Sequence, residues 1–186
     1  MAVEAVKRIF SVEEYHRMHG AGILGEDDRV ELLDGELFEM TPISSRHAAA
    51  VKRLLHLFAA RVAGRAIVSI QDPIGLGGVS EPQPDLCLLA PRDDFYASAH
   101  PTAADVLLLV EVSDTSQAYD RNIKLPLYAR HGIREVWLLD LASSRLTVFR
   151  DPTDGGYASA VHPGPEEPIA PQALPDLTFH LRDLLG

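Results

Sequence analysis

The segment DVLLLVEV (105–112) is an apolar run interrupted near its end by one acid, Glu111. Together with DLCLLA (85–90) it decides the fold, because neither run alternates apolar with polar residues. Continuous apolar runs of this length are expected of central strands covered on both faces. If the two pair antiparallel, Asp85 at the start of one and Glu111 near the end of the other fall at the same end of the sheet. A carboxylate in such apolar surroundings is costly unless a cation or hydrogen bonds compensate it, which marks Glu111 as a candidate site residue.

Working outward, RVELLDGELFEM (29–40) places apolar residues on either side of Asp34-Gly35, a dipeptide suited to the positive φ angles of a tight hairpin turn. TPISSRH then supplies a proline and capping serines, and Val51, Leu54, Leu55, Phe58 and Val62 recur at helical spacing, so a helix is expected over about 45–63. AIVSIQ (66–71) reads as a strand, and DPIGLGGVSEPQP as a loop. After the second apolar run, Ser113 to Ser116 offer helix caps and Gly132 a natural stop; Pro126 kinks or divides the helix between them. REVWLLDL and RLTVFR form a further strand pair. The Pro- and Gly-rich stretch beyond Arg150 suggests edge strands and loops, and LPDLTFHLRDLL closes the chain with an apolar segment. The pattern is that of one α/β domain over 1–186, a mixed sheet flanked by helices with an extra N-terminal β-hairpin.

Composition limits the functions available. At 186 residues, 46% hydrophobic and 24% charged, the chain is of ordinary globular type. It has no run of roughly 18 or more apolar residues for a membrane span, and its first residues lack the apolar core of a signal peptide. A cytoplasmic location without membrane contact is expected. The single Cys87 excludes an internal disulfide and reads as a small buried hydrophobe. A net charge of −10 argues against nonspecific affinity for nucleic acid. Positive potential is concentrated only locally, in Lys52, Arg53, Arg61 and Arg65 on one helix and Arg121, Lys124, Arg130 and Arg134 on the other. GLGGVS lacks the following helix of a dinucleotide loop, the histidines form no zinc pattern, and no G-x-S-x-G elbow is present.

The chemistry that remains is that of paired acids. Two oxygen ligands suit Mg²⁺ or Mn²⁺, which keep several waters and need few carboxylates when substrate phosphate completes the shell. Lys124 follows Asp120 by four residues. Spacing alone favours a surface ion pair between them; beside a metal-bound water, the same lysine can polarise the nucleophile and offset charge on a pentacovalent phosphate.

The ordered blocks RVELLDGELFEM (29–40), SRH (45–47), QPDL (83–86), VEVSDTS (110–116) and DRNIKLPLYARHGIREVWLLD (120–140) closely resemble the Uma-two family, grouped with restriction endonucleases in the PD-(D/E)XK nuclease superfamily. The resemblance implies a restriction-endonuclease-like fold, with Asp85 and Glu111 as metal ligands and Lys124 as the catalytic lysine. The superfamily usually places that lysine two residues after the second acid, on the same strand face; here the position is Ser113. A further acid commonly comes from the first core helix, yet 45–63 contains none. Glu36 and His47 match family motifs and are supporting candidates, although His47 also suits a capping or packing role.

The expected activity is a Mg²⁺- or Mn²⁺-dependent endonuclease acting on DNA, with a homodimer suited to cutting both strands. Two alternatives stand beside it: a noncatalytic interaction module, suggested by the acidic surface and the absent strand lysine, and a metal-dependent phosphoesterase acting on small molecules.

Overall fold

The computed structural model describes residues 6–25, 27–114 and 117–186. Helix α1 (Val12–Gly20) precedes the strands β1 (Val30–Leu33) and β2 (Glu36–Glu39) and helix α2 (Ser45–Val62). Then come β3 (Ile67–Ser69), β4 (Leu86–Leu89) and β5 (Val106–Ser113). A composite helix follows: α3 (Gln117–Tyr119), a π-helical turn (Asp120–Lys124) and α4 (Leu125–Arg130). The strands β6 (Glu135–Asp140), β7 (Arg145–Thr153) and β8 (Gly156–Val161) and helix α5 (Leu181–Leu185) complete the chain.

The strands β3 to β8 form one mixed sheet in sequence order, and β1 and β2 form a separate hairpin. The two apolar runs lie side by side as expected: β4 and β5 are antiparallel, with Leu86 opposite Val110 and Cys87 opposite Leu109. β5 and β6 are parallel. Alternation splits their side chains between two cores. Leu86, Leu88, Val110 and Val112 pack with Val51, Leu54, Phe58 and Val62 of α2 on one face; Cys87, Leu89 and Leu109 pack with Leu125, Leu127 and Tyr128 of α4 on the other. Both faces are covered, which is why the strands carry no polar alternation. Glu111 shares the parity of Leu109 and so projects toward α4. Among the described residues no helix is long and apolar enough to cross a membrane.

Several details go beyond or differ from the expectations. α1 escapes the sequence reading, although Ser11 and Glu14 form a reciprocal capping box at its start. Of the two forms expected for the helix before Gly132, kinked or divided, it takes the divided one, and the division is a π turn ending at Lys124. The Leu125 N–H reaches back five residues to the Asp120 carbonyl, and this wider turn precedes a proline that has no N–H to donate. Of the caps expected there, Ser113 belongs to β5, and Thr115 and Ser116 lie outside the described residues. The basic cluster of α2 and the turn that follows it is also largely committed. Arg53 donates to the Leu185 carbonyl, Arg61 to Thr178 O at 2.9 Å, and Arg65 pairs with Asp176 at 2.7 Å.

The hairpin is fixed against the segment that leads into β4. Asp34 and Gly35 occupy its turn at φ 50° and 77°, as the dipeptide predicts. Gly35 N donates to Val79 O at 2.7 Å, Glu81 N to Leu32 O at 2.7 Å, and Asp34 N to the Ser80 hydroxyl at 2.8 Å. Arg130 of α4 pairs with Asp34 at 2.6 Å. A Cβ on Gly35 would lie 2.2 Å from the Ile9 side chain, whereas one on Gly64, also at φ 77°, meets nothing within 4 Å. Gly64→Ala is expected to lose about 1–2 kcal/mol, the cost of a side chain in the left-handed region. Gly35→Ala should lose more, because Ile9 must also move. Urea midpoints of the two variants check this order.

Candidate active site

Asp85 sits at the entry to β4 and Glu111 near the end of β5, so the antiparallel pairing brings both acids to one end of the sheet. The Asp85 N–H lies 3.4 Å from Glu111 Oε2. Asp85 Oδ2 accepts from the Val112 N–H at 2.8 Å and lies 3.0 Å from His47 Nε2; among the described residues, its Oδ1 receives only the Gln71 amide, at 3.3 Å. Glu111 Oε1 accepts from the Tyr128 hydroxyl at 2.6 Å and lies 2.8 Å from Lys124 Nζ. Each carboxylate therefore has one oxygen firmly held by protein donors and one held lightly.

Lys124 completes the group from the π-helical turn. It is 4% exposed and Asp120 is 5% exposed, which overturns the expectation of a surface ion pair between them. The geometry explains the difference: i,i+4 spacing aligns residues on the face of an α-helix, but the wider π turn rotates that alignment. The Lys124 ammonium turns inward to Glu111 and, at 3.5 Å, to Glu31 Oε2.

Glu31 is the site residue that the sequence reading missed. It lies on β1, is 1% exposed, and accepts from the Tyr119 hydroxyl at 2.7 Å and the Gln83 N–H at 3.1 Å. The short run VELL gives no signal of it, since alternation there reads Glu31 as solvent-facing, unlike Glu111 inside the continuous run LLLVEV. Gln71 is the other omission. Its backbone adopts φ 54°, a rare conformation for a residue with a side chain, and its amide faces Asp85.

The supporting candidates separate. His47 belongs to the site and also to its helix start, where its N–H donates to the capping Ser44 hydroxyl at 3.1 Å. Asp120 lines the same cavity. Glu36 lies away from it, paired with Lys7. Ser113 is buried opposite Asp140, and its hydroxyl does not reach the cavity wall. The cavity above the acids holds about 380 Å³.

Electrostatics are unbalanced. Burial pushes the Glu111 carboxyl up to about 8, with Asp85 and Asp120 adding to the rise and Lys124 opposing it. Burial also opposes the charge on Lys124, but Glu111 and Glu31 hold its pKa well above the usual lysine value. The hydrogen bond to Asp85 raises His47. Acids outnumber cations around the cavity. Among the described residues no three His, Cys, Asp or Glu side chains are gathered closely enough to hold a metal ion by themselves. Asp85 and Glu111, each with a lightly held oxygen, nonetheless fit an ion that takes one or two carboxylates and completes its shell with water and substrate phosphate.

The fold is similar to that of a crystal structure from Anabaena variabilis described as "a putative nuclease belonging to DUF820". The match has a TM-score of 0.72 at 14% identity and covers 95% of this chain and 97% of that chain. No curated protein matches the sequence. The model of the Uma2 family, described as "Putative restriction endonuclease", matches residues 12–182, including every residue placed at the site above, and the chain belongs to that family.

Proposed function

We propose that this site is that of a Mg²⁺- or Mn²⁺-dependent endonuclease that hydrolyses phosphodiester bonds of DNA. The observation that carries the reading is the pair Asp85 and Glu111, each with one oxygen fixed and one lightly held, beside the buried Lys124 ammonium. The family's description and the nuclease fold point the same way.

Asp85 and Glu111 would hold the ion, which when bound supplies Lewis-acid polarisation of a phosphoryl oxygen and a water of lowered pKa. Lys124 offsets negative charge that develops on the phosphate as the water attacks, in a site where low dielectric strengthens the effect. Tyr128 holds Glu111 by its hydroxyl, and the Val112 N–H holds Asp85, so neither acid must reorganise during the reaction. Glu31 and Tyr119 act behind Lys124 by keeping its ammonium in place.

Calorimetry with Mn²⁺ is expected to show binding to the unmutated protein and at least tenfold weaker binding to Asp85→Asn and Glu111→Gln. Equal affinity in all three proteins would place the ion elsewhere. In plasmid cleavage with Mn²⁺, Lys124→Gln should lose at least 100-fold in rate, and Lys124→Arg should recover little of it, because a planar guanidinium does not fill the place of a compact ammonium. Circular dichroism confirms that each variant is folded. Undiminished cleavage by Lys124→Gln removes the lysine from the mechanism. Hydrolysis of bis-p-nitrophenyl phosphate without cleavage of any DNA would favour a small-molecule phosphoesterase.

A further inference from the structure

We infer that the site acts on an unpaired stretch of DNA strand, a single-stranded end or flap, and not on an intact duplex; this rests on the nuclease reading above. The groups that must meet the scissile phosphate lie deep, the side chains of Lys124 and Glu111 being 5% and 4% exposed. The cavity over them, about 380 Å³, falls within the range of pockets that enclose one small ligand, about 300–1,000 Å³. A nucleotide unit enters such a space. Two paired strands with their stacked bases do not, and the stiffness of a duplex over about 50 nm resists bending a paired phosphate inward. An unpaired strand has no such constraint.

The cavity walls suit the same occupant. Met40, Thr41 and Ile43, on the connection between β2 and α2, line one part, and Gln71 and Gln83 line another. Apolar side chains accept the face of an unstacked base, and amides can bond its edges. Neither contact is open to a base still stacked and paired in a helix. Binding along a duplex also needs a track of free cations to neutralise successive phosphates. Here five of the eight basic residues of the two clusters are bonded within the protein, Arg53, Arg61 and Arg65 to the C-terminal segment, Arg130 to Asp34 and Lys124 to the buried acids, on a chain of net charge −10.

The test compares three end-labelled oligonucleotides of the same sequence with Mn²⁺: a single strand, a duplex bearing a single-stranded flap, and a blunt duplex. Lys124→Gln serves as the control for contaminating nuclease. The expected result is that the full-length protein cleaves the single strand and the flap at least ten times faster than the duplex, with cuts confined to unpaired nucleotides. Cleavage of the blunt duplex at an equal or higher rate overturns the inference and leaves the nuclease reading standing. Failure to cleave any of the three overturns both.

Discussion

The ammonium of Lys124 lies between Glu111 on the central sheet and Glu31 on the N-terminal hairpin, and much of the architecture serves to put it there. A buried cation is tolerated only when opposite charge and hydrogen bonds replace the water it has lost. The sheet supplies one partner and the hairpin the other. The hairpin is therefore part of the site as well as an addition to the fold, and its backbone bonds to residues 79–81 and the Arg130–Asp34 pair hold it in register with β4 and α4. The π-helical turn contributes from the remaining side, by aiming Lys124 inward ahead of Pro126.

The same arrangement leaves the cavity with more acid than base. Glu31, Asp85, Glu111 and Asp120 all line it, with Lys124 the buried cation among them and His47 beside Asp85. Burial is the main cause of the upward push on the Glu111 carboxyl, and the neighbouring Asp85 and Asp120 of that surplus add to it. A divalent cation relieves such a surplus directly, as does a protonated carboxyl; the lightly held oxygens of Asp85 and Glu111 are the atoms on which the two solutions differ.

Much of this was legible in the sequence because it follows from period and position. The unbroken apolar runs gave the two central strands, their antiparallel pairing put Asp85 and Glu111 at one end, and Asp34-Gly35 marked the hairpin turn. What stayed hidden depends on how elements pack. In a short strand such as VELL, Glu31 reads as a solvent-facing residue by simple alternation, but all four positions are buried because the hairpin is covered by α1 on one side and by the site on the other. The burial of Lys124 was hidden for a different reason, since α-helical spacing does not apply across a π turn. Gln71 was invisible because its role comes from a left-handed backbone angle at a residue type that gives no hint of one.

The central claim is that Lys124 is a buried charge coupled to Glu111. The most direct measurement is the unfolding free energy, in metal-free urea titrations, of the unmutated protein, Lys124→Met, Glu111→Gln and the double variant. Removing one partner of a buried ion pair typically costs about 3–5 kcal/mol, so Lys124→Met should fall in that range, and the double variant should lose much less than the sum of the singles. A loss of no more than about 1 kcal/mol for Lys124→Met, the value of a surface pair, with additive effects in the double variant, would contradict the account.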